Sequence, residues 1–240
     1  MADSTSRLDE LAGAIRARRL VVTLIASAVV IAAGSVVASR SSLLHLRHLE
    51  VVGATNLTRA EVVRLAAISS STNVLWFDPG SIERRLESDP WIAGATVSRR
   101  LPGTIRISVT ERSPVAVIRD EQGFTLVAAD GVALDTVDAD PALPDMVVGD
   151  DSSPMVRAAA ARAIAGLDRG RRPTVVRAVV SSGRVAVELD GGIRVDFGEP
   201  VRIDAKVQAA RRVLRWATER RVSVASVNVV APDSPTVTPT

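Results

Sequence analysis

The chain has 240 residues, 47% of them hydrophobic but only 2% aromatic, with no Cys and no Tyr, which excludes disulfides, thiolate metal sites and a cysteine nucleophile. Residues 41–240 hold 25 basic and 24 acidic side chains, a balance that gives no phosphate-binding field, and so few aromatic residues leave no platform for stacked bases. No nucleic-acid role is expected, and the core must be built from Val, Ile, Leu and Ala, whose β-branched members favour strands.

Residues 1–19 form a short tail that ends in the cluster Arg16, Arg18 and Arg19. Leu20 to Ser39 then reads LVVTLIASAVVIAAGSVVAS, without a charge. As a helix rising 1.5 Å per residue, this stretch is about 30 Å long, the thickness of a bilayer's hydrocarbon core. The arginine cluster on its N-terminal side predicts a cytoplasmic N-terminus and places residues beyond 40 outside. Val36-Val37-Ala38 offers the small residues a signal peptidase reads, so a cleaved signal peptide is the alternative. The uncharged run is longer than the about 7–15 residues of a signal-peptide core, which favours an uncleaved single-pass anchor in the lipid bilayer.

A linker at 40–45 leads to a first outer domain at 46–113. Leu46 to Gly53 predicts a strand. Thr58 as N-cap with Glu61 three residues on makes a capping box, with Leu57 placed to staple onto Val62, and Val62, Leu65 and Ala66 share one helical face. Asp78-Pro79 opens a second helix, buried along Ile82 and Leu86, and Asp89-Pro90 ends it. Trp91 starts a strand that continues through Ala95 and Val97. Pro102-Gly103 predicts a tight turn, with a positive φ at Gly103 if it is type II. Ile105, Ile107 and Val109 then alternate with Arg106, Ser108 and Thr110 as a half-buried strand. The order is β-α-α-β-β.

A second domain is expected at 114–230. Val115 to Ile118 and Phe124 to Ala128 read as strands around Glu121-Gln122-Gly123, and Asp130-Gly131 predicts a type I′ hairpin turn. Ser153-Pro154 opens an Ala-rich helix to about Leu167. Val175–Val180, Val185–Leu189 and Ile193–Phe197 form a meander joined at Ser182-Gly183 and Asp190-Gly191-Gly192. A helix from Asp204 to Glu219 carries Val207, Ala210, Leu214 and Ala217 on one face, and Ala225–Val230 closes the domain. The tail at 231–240, rich in proline, is expected to be unstructured. The fold class is therefore α+β: one transmembrane helix, a β-α-α-β-β module and a mixed β-sheet domain with two helices.

Val52-Gly53, Asn73-Val74-Leu75, Pro90-Trp91-Ile92, Ala95-x-Val97-x-Arg99, Leu101-Pro102-Gly103-Thr104 and Val109-x-Glu111-Arg112-x-Pro114-Val115-Ala116 follow one another in order. With these motifs the segment resembles the POTRA module of the bacterial FtsQ/DivIB cell-division family. The Lys206 helix, the Val227-Asn228-Val229 strand and Ala231-Pro232-Asp233 resemble that family's β domain, so the resemblance covers about 45–235. It implies a bitopic membrane scaffold at the division septum, linking divisome proteins to septal cell-wall synthesis. Its implied partners are the coiled-coil division proteins FtsB/DivIC and FtsL, bound at the outer face of the membrane. The alternatives are a secreted or anchored POTRA-type module of another transport or assembly system, or a cell-envelope hydrolase.

Candidate chemistry is sparse. His45 and His48 lack a third ligand nearby. Asp138 and Asp140 sit in a loop with no partner to tune either pKa. Gly191-Gly192 precedes a hairpin strand rather than a helix N-terminus. A Ser-Lys enzyme would have to use Lys206, the only lysine, on a helix with apolar neighbours. No catalytic residue, cofactor, metal or small-molecule substrate is expected. Trp91 reads as core, and Arg99 and Glu111 are candidates for a cross-strand ion pair. The closing strand is expected at a sheet edge because no later strand is predicted to pair with it. Its unpaired backbone groups at Ser226, Val227, Asn228, Val229 and Val230 are then the candidate partner site, through strand addition.

Overall fold

The structure, a computed structural model, describes residues 22, 24–34, 44–121, 123–149, 153–168 and 173–240. Residues 24–34 are helical (α1) and exposed. The remainder of the expected membrane span, its flanking Arg16, Arg18, Arg19 and Arg40, and Val36-Val37-Ala38 lie outside the described residues. Among the described residues no helix is long and apolar enough to cross a membrane.

The chain divides into two compact units. Among the described residues, the first comprises those within 1–54, 58–86 and 95–109. Its three-stranded sheet has the order β1-β3-β2, where β1 is His48–Val52, β2 Ile92–Arg100 and β3 Thr104–Glu111. β1 runs parallel to β3, with Leu49 opposite Ile105 and Val51 opposite Ile107. α2 (Arg59–Ala66) starts at the predicted capping box, where the Thr58 hydroxyl accepts from Glu61 N and the Glu61 carboxylate accepts from Thr58 N. α3 (Pro79–Glu87) starts after Asp78, whose Oδ1 accepts from Gly80 N. Val62, Ala66, Ile82 and Leu86 are buried from the helices, and Ile105 and Ile107 from alternate positions of β3. The Pro102-Gly103 turn differs from expectation. The Leu101–Pro102 peptide is cis, and Gly103 does not carry a positive φ. Glycine is required there by crowding, since a Cβ would lie 2.8 Å from the His45 carbonyl oxygen.

The second unit comprises the described residues within 55–57, 87–94 and 110–240. It is built on a nine-stranded sheet of order β12-β11-β10-β9-β8-β7-β4-β5-β6. The strands are β4 Pro114–Asp120, β5 Gly123–Ala128, β6 Ala133–Val137, β7 Asp145–Val148, β8 Val175–Ser181, β9 Arg184–Leu189, β10 Arg194–Gly198, β11 Val224–Asn228 and β12 Thr236–Pro239. The predicted meander is β8-β9-β10, antiparallel throughout. The type I′ geometry sits at Ser182-Gly183, where φ is 50° and 72°, rather than at Asp130-Gly131. There only Gly131 has a positive φ, and the turn closes through Gly131 N donating to Ala128 O.

α4 (Pro154–Asp168) packs on β4, β7, β8 and β9, and α5 (Ile203–Arg220) packs on β10 and β11 and against α4. The two helices approach closely enough that a Cβ on Gly166 would lie 2.5 Å from a Val207 methyl. Between helices and sheet lies one apolar core that includes Ile164, Val187, Val195, Phe197, Val207 and Val227. The core is aliphatic, as the composition requires, with Phe197 its one fully buried aromatic among the described residues. A smaller cluster of Val117, Leu126, Ala128 and Leu134 receives Trp91 as a half-buried packing residue, in keeping with its reading as core.

Candidate partner-binding surface

The sequence places the closing strand at an edge, but the structure places it inside the sheet. β11 lies between β10, its parallel neighbour, and β12, its antiparallel neighbour. The tail expected to be unstructured supplies that outer strand. Thr236, Val237 and Thr238 are all β-branched, and Val237 packs against the core. The flanking prolines mask this signal in the sequence.

Register and hydrogen bonding fix the direction of each backbone group on β11. Val229 N donates to Asp196 O at 2.9 Å, and Asp196 is opposite Asn228. Because successive residues of a strand point their N–H groups to opposite sides, Val227 and Val229 face β10 while Ser226 and Asn228 face β12. The side chains of Val227 and Val229 are fully buried. Asn228 Oδ1 accepts from Val230 N, and of the five predicted site residues Asn228 and Val230 alone are exposed. None of the five presents the free backbone row that strand addition needs.

The open edge at this end of the sheet is β12. Thr240 N donates to Ser223 O, so Thr240, Thr238 and Thr236 share the inward parity, and Pro235, Val237 and Pro239 share the outward one. Proline has no N–H. The outward row therefore offers carbonyl acceptors at three positions and one donor, Val237. The loop leading into β12 is held by a 3.2 Å contact of Arg202 with Asp233, and Pro232 is buried.

Lys206 is the one buried charged side chain among the described residues. Its Nζ donates to Phe197 O at 2.9 Å and Glu199 O at 2.8 Å. Burial pushes its pKa below the usual lysine range, opposed by the Glu199 carboxylate. It ties α5 to the end of β10.

The remaining candidates have the following partners. His45 forms an isolated bridge with Asn73, and among the described residues no three metal-ligating side chains group together. Asp140 does have partners: Ala142 N and the Arg119 guanidinium donate to it and hold its pKa down. Arg99 and Glu111 do not pair. Arg99 donates to Leu75 O and stacks over the Phe77 ring at 5.2 Å, whereas Glu111 accepts from the backbone of Thr55, Asn56 and Leu57. Its neighbour Arg112 bonds to Asp130 and to the carbonyls of Pro90 and Ile92.

A β-α-α-β-β unit with these joints defines a POTRA-bearing protein, and residues 44–112 match the model of the POTRA domain, FtsQ-type. The chain is 32% identical over 234 residues to the cell division protein FtsQ of Streptomyces bingchenggensis, covering 93% of this chain and 87% of that one. It is 30% identical over 185 residues to FtsQ of Mycolicibacterium smegmatis, covering 77% of this chain and 50% of the relative. With FtsQ of Rhodothermus marinus the identity is 40% over 81 residues, 34% of this chain and 30% of the relative. The chain belongs to the FtsQ family of cell division proteins.

Proposed function

We propose that the chain is a non-catalytic, single-pass membrane scaffold of the division machinery. Residues 20–39 would anchor it in the cytoplasmic membrane with the N-terminus inside, and the two units described above would stand outside at the septum. The observation that carries this reading is similarity over 93% of this chain to a cell division FtsQ, and the uncharged span behind an arginine cluster supports its topology. Its partners would be FtsB/DivIC-like and FtsL-like coiled-coil proteins, linked through it to septal wall synthesis. The end of the sheet formed by β11 and β12 is the proposed docking region. Strand addition there uses β12 as the template and engages the 226–230 segment through it.

The test is recovery of the chain from crosslinked dividing cells, with identification of the proteins attached to it. Two small coiled-coil division proteins should be recovered together, with crosslinks mapping near residues 226–240. Recovery of wall hydrolysis products or of an outer-membrane barrel instead would overturn the reading. A reporter active only outside the cytoplasm, fused after Thr240, should work while membrane-bound. A released fragment beginning at Ser39 would establish the signal-peptide alternative.

A further inference from the structure

We infer that one end of the first unit is a bilayer-contacting surface, with Trp76 and Leu101 entering the lipid interface above a ring of arginines. The inference rests on the reading that residues 20–39 span the membrane.

Three segments meet at this end. Val74 N donates to Leu44 O and Leu46 N to Thr72 O, which pairs the 72–77 segment with the first residues beyond the linker. Arg47 N and His48 N donate to Gly103 O, which fastens the β2–β3 turn to the same place. Arg99 closes the triangle, bonding to Leu75 O and lying over Phe77. Two large apolar side chains project into solvent from these tied segments: Trp76 is 67% exposed and Leu101 58%.

The tether decides what they face. Between Ser39 and Leu44 the chain advances five residues, at most about 17 Å when fully extended. The polar headgroup layer is itself roughly 5–8 Å deep on each side. Leu44 is thus confined close to the lipid surface, and the segment holding Trp76 is bonded directly to it. Tryptophan is favoured at that depth because its ring is apolar and its N–H is polar. Charge agrees with this placement. Arg47, Arg99 and Arg100 are exposed around the two apolar residues. The nearby acids are engaged, Asp78 with Gly80 N and Arg84, and Glu50 with Arg100. An anionic leaflet would attract such a face.

The test uses the full chain in vesicles containing phosphatidylglycerol and phospholipids brominated along their acyl chains. With Trp91→Phe and Trp216→Phe, Trp76 becomes the only tryptophan, and most of its emission should be quenched by the brominated lipid. Val52→Trp in a background where Trp76, Trp91 and Trp216 are all replaced by Phe places the only tryptophan at the far end of β1, where emission should persist. Val30→Trp in the same background should be strongly quenched, which reports the span itself. Quenching at 30 without quenching at 76 would overturn this inference alone, whereas no quenching at 30 would overturn both it and the anchor. A nitroxide on Arg100→Cys, in a chain otherwise free of cysteine, repeats the depth reading with all three tryptophans in place. Accessibility to a water-soluble relaxant as high as that of a label on Val52→Cys would count against the inference in the same way.

Discussion

The Glu111 carboxylate holds Asn56 twice, accepting from its backbone N–H at 2.7 Å and from its side-chain Nδ2 at 3.0 Å. The same carboxylate also accepts from Thr55 N and Leu57 N, so the three residues that lead to the Thr58 cap are pinned by one side chain from the end of β3.

A pH dependence follows. Burial pushes the Glu111 pKa up, but the backbone donors of Asn56, Thr55 and Leu57 outweigh it and leave the carboxyl below its usual range. A folded-state pKa below the unfolded value of about 4.3 means that the unfolded chain binds the proton more readily. The stabilisation is complete above that value and is lost as pH falls through the folded pKa. Glu111→Gln should cost roughly 1–3 kcal/mol at neutral pH and should flatten the loss of stability as pH falls below the unfolded value of about 4.3. Denaturant titration of the full chain in detergent at several pH values checks this, and parallel wild-type and variant curves would show that Glu111 is not the titrating joint.

Arg112 should not tolerate lysine. Its Nε reaches Asp130 at 2.7 Å while one Nη serves the carbonyls of Pro90 and Ile92, a fork that an ammonium does not reproduce. Arg112→Lys should lower stability by about 1–3 kcal/mol. Equal denaturation midpoints for the two chains would count against a structural role for the fork.

The approach of α4 to α5 should show coupling between two sites. Gly166→Ala introduces a methyl where Val207 already stands, an overpacking expected to cost about 1–3 kcal/mol. Val207→Ala alone should cost a similar amount by leaving a cavity. The double substitution should cost clearly less than the sum of the two. Strict additivity in a double-mutant cycle would mean that the helices separate freely.

On the outer strand, proline substitutions should divide by parity. Thr238→Pro removes an inward donor to β11 and should destabilise the second unit. Val237→Pro removes the single outward donor, so the ladder should survive while recovery of the crosslinked partners falls. Within β11, Val227→Pro breaks the pairing with β10 and should be the most damaging of the three. Thermal melts read alongside crosslinking yields separate these outcomes, and normal partner recovery with Val237→Pro would exclude β12 as the template.

Where residues act through local chemistry, the fold was legible from sequence. Thr58 and Glu61, Asp78-Pro79, and the alternation from Ile105 to Val109 mark elements that the structure contains at those places. Three strands escaped notice for separate physical reasons. β6 interrupts its pattern with Asp135 and Thr136, β7 is four residues long, and β12 lies among prolines that read as a breaker. The candidate site depended on long-range pairing. Whether Ala225–Val230 was an edge turned on whether a later segment joined it, and only the register of Asn228 with Thr236 answers that. The partners of Glu111 and Arg99 escaped for the same reason, since a charged side chain that binds backbone amides or carbonyls leaves no complementary charge in the sequence to find.

Pro239 in the last strand and Pro235 just before it bear on self-association. A second copy approaching β12 edge to edge would meet one N–H where a regular antiparallel ladder needs a donor at every outward position, so indefinite strand-on-strand growth is blocked there. A stop codon before Thr236 would remove that guard and uncover Ser226 and Asn228, an outward row with no proline in it. Chains clipped at the C-terminus should then be the ones that aggregate.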